Sequence, residues 1–291
     1  MPKILVTGAN GQLGNEIRMI VSNYLNFDFI FTDIDELDIT KFSDIQNFYS
    51  DNKFDYIINC AAYTNVDKAE NDTINAQNIN ANAVKNLAEI SCQYQLPLIH
   101  ISTDYVFDGE SNIQYTEDAE THPQSVYGIT KLKGEEFAKN AYRYFIIRTS
   151  WLYSSFGQNF VKTMLRLGKE EDEINVVYDQ IGSPTYAADL AVTVLEIALK
   201  TFNTSEKNLS GVYHFSNEGS CSWSEFASEI MTVSKLNCKV NPVLSESYPT
   251  IAKRPKYSLL DKSKIKETFG IKIPFWKDSL KNCLLKMNEN I

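Results

Sequence analysis

The first twenty residues constrain the fold of this chain more than any other segment. The apolar run Lys3 to Thr7 predicts a β-strand that leads directly into Gly8, Gly11 and Gly14, and a helical pattern continues from Asn15. Glycine permits a sharp turn at Gly8, close approach of the backbone to a pyrophosphate at Gly11, and close helix–strand packing at Gly14. The free N–H groups of the helix N-terminus favour phosphate. This strand–turn–helix unit predicts a dinucleotide site.

The second predicted strand ends at an acidic residue. Phe27 to Phe31 is apolar and is followed by Thr32 and Asp33, whose carboxylate can accept hydrogen bonds from the adenosine ribose hydroxyls. Asp35 and Glu36 add negative charge, and no Arg or Lys stands close by in the sequence to pair a ribose 2′-phosphate. This local pattern favours NADH over NADPH.

Apolar segments alternate with helical ones along the first half of the chain, as in a parallel α/β sheet. After the second strand, predicted strands and helices alternate over residues 55–62, 80–92, 96–103, 127–140 and 144–148. We therefore predict an α/β fold with a doubly wound, Rossmann-type parallel sheet in residues 1–150, which also receives residues 175–200. Residues 151–174 and 201–291 are predicted to form mainly a smaller mixed α/β substrate-binding lobe, with an oligomerisation surface as the alternative. Ligands are expected beyond the carboxyl ends of the strands.

Composition excludes several other classes of protein. A chain of 291 residues that is 43% hydrophobic can bury a large core as one domain or as two joined ones. The net charge of −9 without a basic run argues against nucleic-acid and membrane-surface partners. The chain has three histidines, none at the spacing of a metal-ligand pair, which argues against a metal site. Its five cysteines lack both metal-ligand spacing and a Cys-x-x-Cys motif, so we predict reduced thiols. Neither a signal peptide nor a membrane-length apolar run is predicted, so we expect a cytoplasmic protein.

The pair Tyr127 and Lys131 carries the predicted chemistry. A phenol and an ammonium one helical turn apart lie on one face, where the cation is expected to lower the pKa of the phenol from its usual value near 10. Tyr49 and Lys53 have the same spacing, so spacing alone cannot choose between the pairs. Order along the chain favours Tyr127 as an acid, because it follows a strand ending in Thr103, whose hydroxyl can bond the same substrate oxygen. For Tyr49 a surface aromatic role is favoured.

Several motifs match one known pattern in order. They are the glycine turn, Asn59 to Thr64, Val66 to Glu70, Ser102 to Gly109, the Tyr127/Lys131 pair, Arg148 to Trp151, Asp179 to Thr185, and Arg254-Pro255 with Ser258 and Leu260. On these motifs, which extend over almost the whole chain, the sequence resembles the dTDP-4-dehydrorhamnose reductases of the extended short-chain dehydrogenase/reductase family.

The resemblance implies a reductase for a dTDP-sugar substrate that uses NADPH or NADH. Hydride would pass to carbon 4 of the keto sugar while Tyr127 protonates the oxygen, Lys131 holds the nicotinamide ribose and Thr103 bonds the sugar oxygen. Other positions matched to the cofactor are Gly8, Gly11, Gln12, Leu13, Gly14, Asp33, Asp38, Ile39, Ala62, Tyr63 and Thr64. Positions matched to the sugar nucleotide, besides Thr103, are Asp104 and Trp151.

Magnesium and oligomeric state are less determined by the resemblance. Some members of the family are dimers bridged by magnesium through glutamates, and Glu16 matches one such position. Where a partner glutamate is expected, this chain has Ala187-Ala188-Asp189, which argues against a magnesium bridge. We therefore predict no metal site, and a monomer and a homodimer both stay open.

Another nucleotide-sugar 4-reductase, a 4-epimerase and a non-catalytic regulatory subunit stay open as alternatives, and so does the role of one set of residues. A dehydratase of the same fold carries Thr-Asp-Glu where this chain has Thr103, Asp104 and Tyr105, so elimination lacks its base. A 4-epimerase would retain its cofactor through the cycle. A non-catalytic regulatory subunit, like the one of methionine adenosyltransferase, can keep the whole cofactor site. A loop role and a nucleotide-binding role are equally open for Asp179, Gln180, Pro184 and Arg254.

Overall fold

The chain forms one central sheet with helices on both faces and a smaller group of elements at one side. The computed structural model describes residues 1–202 and 209–289. Its strands are β1 Lys3–Thr7, β2 Asp28–Thr32, β3 Tyr56–Asn59, β4 Pro97–Thr103, β5 Arg143–Thr149, β6 Leu152–Tyr153, β7 Glu173–Val177, β8 Ile181–Gly182, β9 Thr185–Tyr186, β10 Gly211–His214, β11 Cys221–Ser222 and β12 Lys239–Val243. Its helices are α1 Gln12–Ile20, α2 Phe42–Asn52, α3 Val66–Ala69, α4 Thr73–Gln77, α5 Ala83–Tyr94, α6 Val126–Ala138, α7 Phe160–Glu170, α8 Ala187–Phe202, α9 Trp223–Ser234, α10 Ser263–Phe269 and α11 Trp276–Glu289.

The central sheet has the predicted parallel, doubly wound topology. In the described part of the chain its order is β10-β5-β4-β3-β1-β2, with every neighbouring pair parallel. From β1 the chain proceeds to β2 on one side and returns to β3 on the other. Because the connections diverge there, a crevice for ligands opens beyond the carboxyl ends of β1 and β3.

Apolar side chains cover both faces of this sheet, as parallel strands require. One face packs on α1 and α8, with Ile17 and Val194 fully buried against the strands. The opposite face packs on α2, α5 and α6, with Leu87 at the centre. These two layers hold the strand ends at fixed positions, which is what a site built from several strands needs.

The smaller part has its own core but exchanges segments with the sheet. Helices α7, α9 and α11 pack around Phe226, and β7 pairs with β12. Residues 175–177, predicted to join the central sheet, therefore lie in the smaller part. Conversely β10, from the segment predicted to be mainly lobe, pairs with β5 at the edge of the central sheet. Throughout the described ranges, the helices are all too short or too polar to cross a lipid bilayer.

Candidate active site

The turn after β1 is built as the glycine pattern predicts. Gly8 has φ +65°, and a Cβ there would lie 2.5 Å from the backbone nitrogen of Ala61, so another residue would clash with the loop after β3. Helix α1 begins at Gln12, three residues earlier than predicted, with Gly11 as its N-cap. Consequently the N–H groups of Gln12, Leu13 and Gly14 have no partner within the helix. Phosphate binding at this turn stays a prediction.

Asp33 ties the end of β2 to the glycine turn. Its Oδ2 accepts from the backbone N–H of Asn10 at 3.0 Å, and its Oδ1 accepts from Ile34 at 2.9 Å. A carboxylate has four acceptor positions, so these two bonds orient Asp33 and leave room for ribose hydroxyls. One cation is distant in the sequence but near in space. The Arg18 guanidinium lies 4.9 Å from the ring centre of Phe31, which stands two residues before Asp33. The local preference for NADH is therefore weaker than the sequence implies.

The second adenosine-side pair, Asp38 and Ile39, is engaged elsewhere. Asp38 accepts from the hydroxyl of Thr40 at 2.6 Å, which holds the pKa of this carboxyl below its usual value, and Lys41 lies 3.1 Å away. The side chain of Ile39 is buried in the core beneath α2 and α5. Only the backbone of Ile39 is therefore left for a cofactor contact.

Asn80 fixes the loop predicted to lie beside the nicotinamide. It is fully buried in a π-helical turn, Asn78–Asn82, that precedes α5. Its amide accepts from the N–H of Tyr63 at 2.8 Å and donates to the carbonyl of Tyr63 and to the hydroxyl of Thr130, each at 3.1 Å. Asn80 thus ties the Ala62–Thr64 loop to the helix that carries Tyr127. Sequence reasoning missed it because it stands among several asparagines.

The helix α6 brings Tyr127 to the end of β4. Ser125 caps the helix by accepting from the N–H of Gly128 at 3.1 Å. A Cβ at Gly128 would lie 2.2 Å from the carbonyl oxygen of Tyr105, so only glycine lets the helix start this close to the turn after β4. The phenol of Tyr127 lies close enough to Thr103 for the threonine hydroxyl to lower the pKa of the phenol. The Tyr127 ring packs edge-on against Tyr105, with 5.4 Å between the ring centres. The predicted acid and the predicted hydroxyl are therefore brought together.

The protonation states differ from the sequence-based expectation. We expect Lys131 to lower the pKa of Tyr127; in the structure, burial raises the pKa of Tyr127 well above 10, opposed by the Thr103 hydroxyl. Lys131 is 1% exposed and donates to the carbonyl of Ile101 at 2.6 Å. Burial lowers the pKa of Lys131 to about 8. That expectation was wrong, because helical spacing takes no account of desolvation.

Asp104 presents an unsatisfied oxygen beside the catalytic pair. It is 2% exposed, its Oδ1 accepts from Thr103 at 3.0 Å, and its Oδ2 has no hydrogen-bond partner among the described residues. Burial raises the pKa of Asp104 to about 6. A buried, unpaired acceptor is unfavourable without a ligand, so Asp104 is suited to bind a substrate hydroxyl.

Trp151 is less available than predicted. Its backbone has φ +48°, a strained conformation for an aromatic residue, and its ring stacks on Trp223 with 3.6 Å between ring centres. The ring also packs on Gly182, where a Cβ would lie 2.6 Å from it. Trp223 covers one face of the ring and Gly182 packs against the ring as well, so less of it is open for contact with a sugar. Trp151 can still form a wall of the site.

Arg254 is the late residue that reaches the site. Its guanidinium donates to Asp67 at 2.7 Å and to the hydroxyl of Tyr105 at 3.3 Å. By contrast, Asp179 and Gln180 hydrogen-bond to Ser245 and hold the loop after β12. The carbonyl of Pro184 similarly accepts from the backbone of Asn217. These contacts favour structural roles for Asp179, Gln180 and Pro184, and their part in nucleotide binding stays untested.

The residues at the positions compared with the family's magnesium bridge have hydrogen-bond or ionic partners within the chain. Glu16 is fully buried and accepts from Ser154 and from the ammonium of Lys286, each at 2.6 Å. Asp189 accepts from Asn217 at 2.7 Å and Ser279 at 2.5 Å. No metal-binding group of three or more His, Cys, Asp or Glu side chains occurs in residues 1–202 and 209–289. Because Lys286 neutralises Glu16, these residues do not fit a magnesium bridge.

Comparisons with known proteins decide the family. A family model described as RmlD substrate binding domain matches residues 2–289. The dTDP-4-dehydrorhamnose reductase of Aggregatibacter actinomycetemcomitans is 40% identical over 289 residues, which cover 97% of this chain and 98% of that protein. The chain belongs to the dTDP-4-dehydrorhamnose reductase family. This confirms the resemblance inferred from the motifs.

Solved structures of this reductase family confirm the fold. The Clostridium acetobutylicum dTDP-4-dehydrorhamnose reductase superposes with a TM-score of 0.93 at 45% identity, covering 98% of this chain and 99% of that one. The Bacillus anthracis enzyme, solved in complex with NADP, has a TM-score of 0.91 at 43% identity. The match covers 98% of this chain and 100% of that one.

The ionisation of Lys131 predicts the alkaline limit of activity. Its ammonium form is the one that can make charge-assisted hydrogen bonds and stabilise a tyrosinate, so kcat/KM should be constant near neutrality and fall as pH rises through about 8. Tyr127 stays protonated over this range because its pKa is raised. Steady-state rates between pH 6 and 9.5 measure this, and a flat profile up to pH 9.5 contradicts it.

Because Glu16 is paired with Lys286, we expect the stability and the oligomeric state of the protein not to depend on divalent metal. We expect EDTA and added Mg²⁺ to leave Tm and elution volume unchanged, whereas Lys286→Met should lower stability by about 3 kcal/mol because a buried carboxylate loses its cation. Thermal melting and gel filtration measure both effects. A drop in Tm with EDTA that Mg²⁺ reverses is the contrary result.

Proposed function

We propose that the chain reduces the 4-keto group of dTDP-4-dehydro-L-rhamnose to give dTDP-L-rhamnose, with NADPH or NADH as the reductant. The observation that carries this is the cluster at the end of β4, where the Tyr127 phenol lies beside the Thr103 hydroxyl and the unpaired oxygen of Asp104. The reductases that this chain is similar to are named for this substrate, and the Bacillus anthracis one binds NADP.

The residues proposed for the cofactor follow β1, β2 and β3 in the chain, and one more lies on α6. The turn Gly8–Gly14 would hold the pyrophosphate, Asp33 and the Asp38–Ile39 backbone the adenosine half, and Ala62–Thr64 with Lys131 the nicotinamide half. The open helix N-terminus and the orientation of Asp33 fit such a ligand. When bound, the reduced nicotinamide supplies hydride for carbon 4.

Tyr127 then acts as the acid. Its raised pKa keeps the phenol protonated at neutral pH, so it can donate its proton to the carbonyl oxygen as hydride reaches the carbon. The Thr103 hydroxyl, which donates to Asp104 Oδ1 at 3.0 Å, would turn its proton to the same substrate oxygen. Lys131 stabilises the tyrosinate that is formed. The products are the alcohol and the oxidised cofactor, and Tyr127 regains its proton from water.

The geometry disfavours the dehydratase alternative. Elimination needs a base at Tyr105, but burial raises the pKa of Tyr105 to about 12 and its hydroxyl lies 3.3 Å from Arg254. A neutral phenol facing a cation does not abstract a proton at neutral pH. Arg254, partly exposed at the site, instead offers a cation for the substrate diphosphate.

The free cysteines support a cytoplasmic location. Cys60, Cys92, Cys221, Cys238 and Cys283 are all unpaired, which is usual in reducing compartments.

A turnover assay with matched tyrosine variants tests the proposed function. Wild-type protein should oxidise NADPH or NADH at 340 nm only when dTDP-4-dehydro-L-rhamnose is present. Tyr127→Phe should lower kcat by about 10²-fold or more with cofactor Kd changed only a few-fold, because only the proton donor is removed. Tyr49→Phe is the control, since Tyr49 stacks on Tyr94 at 3.9 Å through its ring.

We expect Tyr49→Phe to change kcat by less than about twofold. Cofactor binding without turnover of any 4-keto sugar nucleotide would replace the reductase with the regulatory-subunit alternative. Near-wild-type kcat in Tyr127→Phe would remove Tyr127 as the acid.

Asp33 is expected to set cofactor preference. Asp33→Ser removes a carboxylate that accepts from the ribose diol and repels a 2′-phosphate, so the NADPH/NADH ratio of kcat/KM should rise several-fold. Asp35→Ser removes an exposed charge two residues away and should change the ratio less. Equal effects of both variants would mean that Asp33 acts only through net charge.

A further inference from the structure

A buried ion pair that the reduction does not use lies next to the catalytic residues. Glu135 is fully buried and Arg148 is 3% exposed. The guanidinium donates through Nε at 2.9 Å and Nη2 at 2.8 Å to the two oxygens of Glu135, and the Ser102 hydroxyl donates to the same carboxylate at 2.5 Å. A buried ion pair often stabilises a fold no better than apolar residues of equal volume, so stability alone does not account for it.

The Glu135–Arg148 pair is connected to Tyr127 because Glu135 lies on the same helix, α6. Tyr127, Lys131 and Glu135 are spaced four residues apart in α6, so they follow one another along one face. Lys131 donates to the carbonyl of Ile101, and Glu135 accepts from Ser102. The two residues before Thr103 in β4 are therefore both bound to α6, which fixes Thr103 relative to Tyr127.

The negative charge of Glu135 also acts on the ammonium of Lys131. The titratable groups that face its ammonium are Glu135 on α6, His100 on β4 and Cys60 after β3. Burial lowers the pKa of His100 and raises the pKa of Cys60 to about 12, so both are neutral near pH 7. Glu135 is the anion among these three groups, and it opposes the desolvation of Lys131.

We propose that Glu135 is a positioning residue for the reduction: clamped by Arg148 and Ser102, its carboxylate keeps Lys131 in the ammonium form and holds the end of β4 so that Thr103 meets Tyr127. This role rests on the proposed function, because Lys131 and Thr103 serve that reaction. Glu135 acts through these two residues and does not touch the substrate.

The principal test removes both charges of the pair at once. Glu135→Gln keeps an acceptor for Ser102, and Arg148→Met avoids leaving a buried cation without its partner, so the double variant is designed to fold. In the double variant, the alkaline limb of the pH profile, where kcat/KM falls with rising pH, should lie about one pH unit lower than in wild type. At pH 9 the kcat/KM of the double variant should be about tenfold below that of wild type. Glu136→Gln, the same change at the exposed next residue of α6, should leave the profile unchanged.

Cofactor binding separates this proposal from the proposed function. The Kd for NADPH, measured by fluorescence between pH 6 and 9.5 without sugar, should weaken at lower pH in the double variant than in wild type. This holds even if wild type reduces no 4-keto sugar nucleotide, in which case the proposed function fails alone. Wild-type pH profiles in a folded double variant overturn the role of Glu135.

Ser102→Ala tests the geometric half independently and keeps both charges. Losing the bond between Ser102 and Glu135 should lower kcat about tenfold while the alkaline limb stays at its wild-type pH. If the double variant does not fold, the kcat of Ser102→Ala tests the proposal on its own. A kcat equal to that of wild type overturns the proposal.

Discussion

The site depends on one unfavourable placement, a lysine ammonium inside the protein. Lys131 is almost fully buried, and removing a cation from water is costly unless anions and carbonyl oxygens compensate. Here the compensation comes from the Ile101 carbonyl and from Glu135, which are held by β4 and α6. The same two elements carry Thr103 and Tyr127, so satisfying the ammonium also assembles the catalytic groups.

The cofactor side of the site depends on close backbone approach. Gly8 lets the turn after β1 touch the loop after β3, and Asn80 binds both backbone groups of Tyr63 in that loop. Asp33 joins the end of β2 to the turn. Three strand ends are thus fixed to one another before any ligand arrives, which reduces the entropy lost on binding.

The parts that the sequence predicted are those with local signals. The glycine turn and the parallel strands followed from order and spacing. The choice of Tyr127 over Tyr49 rests on the same signals and stays a prediction; the structure places Tyr127 beside Thr103. The parts it missed depend on distant partners or on burial. Trp223, far along the chain, covers Trp151; Lys286 neutralises Glu16; and desolvation, which no spacing reports, sets the pKa of Tyr127.

Isotope transfer tests the central claim most directly. With cofactor deuterated at the transferable C4 position of the nicotinamide and dTDP-4-dehydro-L-rhamnose as substrate, reduction at carbon 4 places one deuterium on that carbon of the product. Mass spectrometry and proton NMR of the sugar nucleotide detect it. The account predicts label at carbon 4 and nowhere else. Product without label, or label at another carbon, contradicts it.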